Sequence, residues 1–349
     1  MVEFCSTLGA MNSAADSTSG ASFEQKIFQR SPVGTVATSA ILFTLVAGSY
    51  VAIALLSGAP LLDSGSRELH IARYAWPALV LSLLMTAVLG MQRYTRIREQ
   101  GDEPAFRAIA PGASYAATIL RPASPGRMLL ANTLGIPAGI ALAYLTVPSN
   151  FPLHYPGLFV WNVVVNILLS ALFVRGVIMT AQGGRAFAHM IEHDLRIDLL
   201  HVDKLAVIGR HSARNALIWF TVAAIACLFF VGGGIDATII VILAACAGMG
   251  LWIFLRPMEH VHRRIRMQKA IELDHIRNEI GHLRDGAWRD PSAATRLQGL
   301  LAYEARIQAV HEWPFDQTTL VRVAAYVLIP AIPWFGEAFV SDLIQRLAH

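Results

Sequence analysis

The fold class this sequence predicts is an all-α, polytopic helical membrane bundle of six to seven spans, with a cytoplasmic two-helix coiled hairpin between spans six and seven. Three observations predict it. Apolar residues make up 55% of the 349-residue chain and charged residues only 15%, too few to cover a soluble surface of this size. Several windows reach the roughly 20 apolar residues that a bilayer core requires. From Pro257 to Asp316 that pattern gives way to charge at helical spacing, and from Leu320 to Trp334 the chain turns apolar again.

The first residues, 1–30, are rich in Ser, Ala, Gly and Thr and carry too little apolar bulk to fold, so they read as a disordered tail. The run Thr35 to Ser57 follows Lys26 and Arg30. It is too long for a signal-peptide core and lacks a small-residue cleavage site, which predicts a retained helix. Within a bundle over 31–256, spans are expected near 35–57, 74–91, 129–147, 158–180, 215–233 and 235–256, with a shorter seventh near 318–335. Only helices satisfy the backbone of such segments in lipid.

Basic residues orient the bundle. Arg93, Arg96, Arg98, Arg107, Arg121 and Arg127 follow span two, and Arg185, Arg196, Lys204, Arg210 and Arg214 follow span four. The alternate connections hold Arg67 and Arg73 before span two, and no basic residue in Pro148 to Gly157 or Gly232 to Asp236. That asymmetry places the amino terminus, both basic loops and the hairpin in the cytoplasm of a bacterial-type inner membrane. The net charge of +4 is split among loops and forms no single patch, so no nucleic acid is expected. Cys5, Cys227 and Cys246 have neither metal nor disulfide spacing.

Small residues recur every four positions in three spans: Ala40, Thr44, Gly48 and Ala52; Ala78, Ser82, Thr86 and Gly90; Ala131, Gly135, Gly139 and Ala143. Such stripes let backbones approach closely, either within one bundle or across a homodimer seam, and packing within the bundle is the simpler expectation. Pro77 and Pro137 predict an early-turn break and a kink. Gly232-Gly233-Gly234 reads as a tight turn, with Asp236 capping span six.

The hairpin, residues 257–316, opens at Pro257, which is expected to end span six. Met258, Val261 and Ile265, then Leu273, Ile276, Ile280 and Leu283, form one narrow apolar stripe with a slip in phase between Ile265 and Leu273. Asp285-Gly286 breaks the pattern, and Asp290-Pro291-Ser292 begins a return helix striped by Leu297, Leu300, Tyr303, Ile307 and Val310. Helices with one such stripe are not stable singly and must pair with each other or with a neighbour. Pro257 together with Glu279-Ile280-Gly281-His282-Leu283 resembles two landmarks of HAMP signalling modules. Those modules have a non-helical connector between parallel helices, whereas Met258 to Arg284 reads as one helix, so nothing is carried over from them.

Trp313 and Phe315 suit the headgroup level, Pro314 stops the return helix, and Asp316 is expected to cap the last span. Residues 317–349 then read as a short seventh span, with a hinge at Pro330 and Pro333, and an amphipathic helix bearing Phe339, Val340, Leu343, Ile344 and Leu347.

Candidate chemistry is sparse. His189 and His193, at i and i+4, are a workable pair of metal ligands, but neither a third ligand at fixed spacing nor the zinc-protease motif follows. Asn162, Asn166 and Ser170 share a face of span four, with Arg175 near its end, and form a candidate polar path. Of carboxylates that could sit within the bilayer, Glu337 is the one the reading selects. No nucleotide loop, potassium filter or nucleophile–base pair is present, and no cofactor is expected. The chain therefore reads as a non-enzymatic scaffold or sensor whose hairpin mediates self-association or partner docking. The competing expectation is a channel or transporter for a small solute or ion along span four. Expected partners are the lipid bilayer and a second copy or another protein, through 257–316.

Overall fold

The computed structural model describes residues 34–63, 70–71, 75–111, 125–145, 154–230, 237–284 and 291–313, and positions 321, 324, 325 and 328. Seven helices organise them: α1 (Gly34–Leu56), α2 (Ala75–Ile109), α3 (Pro125–Leu145), α4 (Pro156–His193), α5 (Ala206–Cys227), α6 (Ala237–Arg284) and α7 (Pro291–Gln308). A two-residue antiparallel pairing of β1 (Leu62–Asp63) with β2 (His70–Ile71), in the register Leu62 opposite Ile71, joins α1 to α2. Six helices are long and apolar enough to cross a membrane, and each of the six expected spans falls on one of them. Of the expected seventh span only positions 321, 324, 325 and 328 are described, each helical, and the Pro330/Pro333 hinge, the Asp236 and Asp316 caps, Glu337 and the carboxy-terminal amphipathic helix lie outside the described residues.

Where the sequence ends a span, the helix often continues. The segment after position 91, expected as a basic loop, is helical to Ile109 in α2, with Pro104 inside it. Similarly, α4 runs on from the apolar stretch to His193. Pro257 does not end span six, because α6 is one helix of 48 residues with Pro257 in its interior. Proline removes a single N–H and crowds one carbonyl, which a long helix packed on both sides of the site can absorb. Pro257 is itself buried. Span five starts earlier than position 215: a 3-10 turn over Val202–Leu205 leads into α5 at Ala206. His201 occupies the cap position of that turn without a side-chain bond.

The described residues form two compact units. The first draws on Met1–Ile97, Leu120–Met179 and Ile225–Ile240, and the second on Arg98–Ile119, Thr180–Ala224 and Val241–His349.

In the first unit the core gathers Tyr50, Ala54, Ala78, Leu81, Leu158 and Trp161. Tyr50 and Trp161 meet edge to face at 5.0 Å, and the Trp161 indole N–H donates to Ser49 Oγ at 2.9 Å. Helix α1 ends on Gly58, at φ +66°, where Gly58 N–H donates to Leu55 O and Ala59 N–H to Ala54 O. This paired closure satisfies the last carbonyls and needs the left-handed residue that glycine supplies. Two of the three small-residue stripes turn inward. Ala131, Gly135, Gly139 and Ala143 are buried, and a Cβ at Gly139 would meet the Ile167 backbone nitrogen at 2.6 Å and Asn166 O at 2.7 Å. Helices α3 and α4 thus touch through their backbones. Ala78, Ser82 and Thr86 are buried too. Ala40, Thr44, Gly48 and Ala52 on α1 are exposed.

Among the described residues, the second unit has a large core running through Phe106, Phe187, Met190, Ile191, Ile208, Phe220, Phe254, Met258, Val261, Ile265, Ile276 and Ile307. The stripe positions on α6 and α7 face inward: Met258, Val261, Ile265, Ile276 and Ile307 are buried, and Leu273, Ile280, Tyr303 and Val310 pack beside them. Lys269 and Glu272 occupy the slip in phase, and each has a partner on α7 or just beyond it. Lys269 Nζ donates to Gln308 O at 2.8 Å and Val310 O at 2.9 Å, while Tyr303 Oη–H donates to Glu272 Oε1 at 3.1 Å. A cation on the last carbonyls of a helix satisfies orphan acceptors and opposes the helix dipole.

Candidate functional site

The polar groups of greatest chemical interest sit in the second unit, where the basic end of α2 meets the start of α5. Glu99 and Asp102 are three apart on α2, and His211, Arg214 and Asn215 fall three and four apart on α5, so each set shares a helix face. Arg214 Nη2 donates to Asp102 Oδ2, forming an ion pair whose side chains are 16% and 20% exposed. Beside it, His211 Nδ1 lies 4.0 Å from Glu99 Oε1, with side chains 6% and 13% exposed. Asn215 Nδ2 stands 3.0 Å from His211 Nε2. The imidazole is walled by aromatic rings, Phe187 at 4.7 Å and Phe106 at 5.7 Å edge to face. Buried charges of this sort are retained only where paired and bonded, because an isolated one is strongly penalised.

The neighbouring segment 194–201 is fixed by local chemistry. Arg196 N–H donates to Ile109 O at 2.9 Å, closing the end of α2. Asp198 Oδ1 accepts from Leu200 N–H at 3.0 Å, and its other oxygen lies 2.7 Å from His201 Nδ1. These two bonds, that from His201 first, hold the Asp198 carboxyl below the ordinary carboxylate range. Further along, His260 Nδ1 meets Glu192 Oε1 at 2.8 Å. The end of the α7 segment is strapped to α6: the His262 ring stacks on Trp313 at 4.3 Å, and its Nδ1 lies 3.1 Å from Glu312 O.

The residues singled out from sequence are placed as follows. Asn166 is buried, and its amide donates to Asn162 O at 3.0 Å and Asn162 Oδ1 at 2.8 Å. Ser170 is buried on the same face, and Arg175 is half-buried farther along α4. Asn166 O is one of the atoms that closes against Gly139, so α3 is packed directly on this part of α4. His189 and His193 stack at 4.2 Å, and His193 Nδ1 lies 3.1 Å from His189 O. Among the described residues no group of three or more His, Cys, Asp or Glu could hold a metal ion.

The sequence singled out Arg214 only as a basic loop residue and did not single out Glu99, Asp102, His211 or Asn215 as site residues. Asn215 opens the expected span five, and the other four lie in stretches expected to be basic loops. The signal available was their spacing: acids three apart, then His, Arg and Asn over one helical turn. No protein-family model matches this chain, and neither a curated protein nor a solved structure shows significant similarity to it.

Proposed function

We propose that this chain is a non-enzymatic, integral inner-membrane protein of the bacterial type, a scaffold or sensor whose α6–α7 hairpin mediates self-association or partner docking. The hairpin and amino terminus are assigned to the cytoplasm from the arginine-rich segments that follow spans two and four. Supporting membrane insertion are six helices of sufficient length and apolar character. One observation carries the docking reading. Met267 and Ile271, one turn apart on α6, are 53% and 56% exposed, and Leu301 on α7 is 50% exposed. They lie past the apolar part of α6, among Arg263, Arg266 and Asp274, where acyl chains would not cover them. The inner faces of the same two helices are joined by Lys269, Glu272 and the Arg277–Glu304 pair at 2.9 Å. A pair so joined presents its outer face as a defined surface.

Changing Met267 and Ile271 together to Glu in the full chain, reconstituted in nanodiscs, should reduce the oligomeric or partner-bound fraction at least about tenfold. The bundle should stay folded. A wild-type monomer that binds no partner, yet conducts ions in liposomes until Asn166 is changed to Leu, would instead establish the channel reading along span four.

A further inference from the structure

We infer that the partner of the α6–α7 hairpin is a second copy of this chain, joined as a four-helix bundle in which α6 of each copy packs against α7 of the other. This rests on the docking reading and names its occupant. The outer faces of both helices lack what a solvated helix carries. On α7 the face opposite Tyr303, Ile307 and Val310 consists of Ala294, Gln298, Leu301, Ala302, Ala305 and Ala309, all exposed and none charged, where a helix facing water places its charges. On α6 the face opposite Ile265 and Ile276 carries Met267, Ala270 and Ile271 between Arg263 and Asp274, again all exposed.

The bilayer restricts how two such hairpins can meet. Copies inserted in one membrane with one orientation are related by a twofold axis along its normal, and α6 is one helix from its apolar part to Arg284. Two α6 helices can therefore pair with each other only in parallel, each residue near its own twin. That sets Arg263 against Arg263 and Asp274 against Asp274, and like charges so placed repel. Helix α7 runs the other way, so α6 against α7 of the second copy is antiparallel and free of that clash.

Because that axis runs along the helices, levels within one hairpin carry over to the pair. Lys269 Nζ donates to Gln308 O at 2.8 Å and Val310 O at 2.9 Å, and Tyr303 Oη–H donates to Glu272 Oε1 at 3.1 Å. Ile271 is thereby level with Ala305, and Met267 is within a turn of Ala309, so bulky side chains on α6 meet alanines on α7. The charges match as well: Arg266 is level with Glu312, and Asp274 is within a turn of Arg306. Arg266, Asp274 and Arg306 are exposed, while Glu312 is half-buried and its carboxylate also lies 3.7 Å from Lys269. Opposite charges beside an apolar seam select the antiparallel pairing.

The test co-expresses two differently tagged full-length chains in a cysteine-free background, one with Ile271→Cys and the other with Ala305→Cys, and oxidises them in native membranes. A disulfide between the two tags is expected. Two chains that both carry Ile271→Cys should form none, because neighbouring axes about 10 Å apart in a square bundle leave the two α6 axes about 14 Å apart. A bifunctional thiol reagent spans that gap. Asp274→Arg should cut the linked fraction about fivefold, and adding Arg306→Asp should restore it. A disulfide between two Ile271→Cys chains in place of the mixed one, or a mixed one that Asp274→Arg leaves unchanged, overturns the proposal. Loss of binding on changing Met267 and Ile271 to Glu, with no mixed disulfide, also overturns it but spares the docking reading, since the occupant is then another protein. No mixed disulfide and no response to those Glu changes would sink both.

Discussion

In the unit that holds α1 and α3, hydroxyls and amides close onto their own helices: Ser82 onto Ala78 O, Thr86 onto Ser82 O, Thr133 onto Leu130 O and Asn166 onto Asn162. In the unit that holds α7 such local bonds recur, as from Thr295 to Pro291 O, but charged and aromatic side chains also reach across to other elements: Arg214 to Asp102, His260 to Glu192, Tyr303 to Glu272 and Lys269 to the end of α7. The first habit suits a segment in lipid, where each polar group must be satisfied locally and helix association rests on close packing of small residues. The second fixes which helix meets which, and at what register.

This comparison can be broken most sharply at the partly buried Asp102–Arg214 pair. Asp102→Ala leaves Arg214 without that partner and should cost about 2 to 3 kcal/mol, less than for a fully buried pair. Thermal unfolding in detergent would show it, and a loss much below that would mean water already reaches the pair. In the first unit the corresponding test is steric. Gly139→Val sets a branched side chain against the backbone of Ile167 and Asn166, and should cost about 1 to 3 kcal/mol by overpacking. Gly48→Val meets nothing within 4 Å and should leave stability unchanged. Lys269→Met removes two hydrogen bonds, one to the last carbonyl of α7 and one to Val310 O, and should cost about 1 to 2 kcal/mol, seen as faster amide exchange over residues 303–313.

The smallest effect expected is that of pH on the 194–205 segment. Asp198 has a lowered folded pKa, so its contribution is present above the ordinary carboxylate pKa, near 4, and is lost as pH falls through the lowered value. Amide exchange of Leu200 should accelerate on acidification below about pH 4, and Asp198→Asn should abolish that dependence. Because the carboxylate is exposed, the change should be local and leave global unfolding untouched.

How far the sequence could be read differs between the units in the same way. The six apolar spans, the tight α3 stripe and the inward stripes of α6 and α7 were all legible, since hydropathy and spacing by three and four report which face is covered. Helix ends were not, because hydropathy marks where a helix leaves an apolar setting, and α2, α4 and α6 continue well past that point. The α1 stripe shows the limit of the small-residue signal: Ala40, Thr44, Gly48 and Ala52 match the α3 spacing, yet they are exposed. Spacing reports that a face is smooth and does not report what lies against it. The Glu99–His211 and Asp102–Arg214 contacts were invisible for a related reason. They join positions more than a hundred residues apart, and nothing in either segment alone names its partner. The slip at Lys269 and Glu272 was legible as an irregularity, but its use as a polar lock on α7 required the partner helix.

The most direct measurement is cysteine cross-linking in native membranes, in a background with Cys5, Cys227 and Cys246 replaced, comparing Ile271→Cys on α6 with Gly48→Cys on the exposed α1 stripe. Docking through α6–α7 predicts a cross-linked species from position 271 that disappears when Met267 is changed to Glu, whereas position 48 gives none. Cross-linking at position 48 with nothing at position 271 would contradict it and place the contact on the small-residue face of the first span.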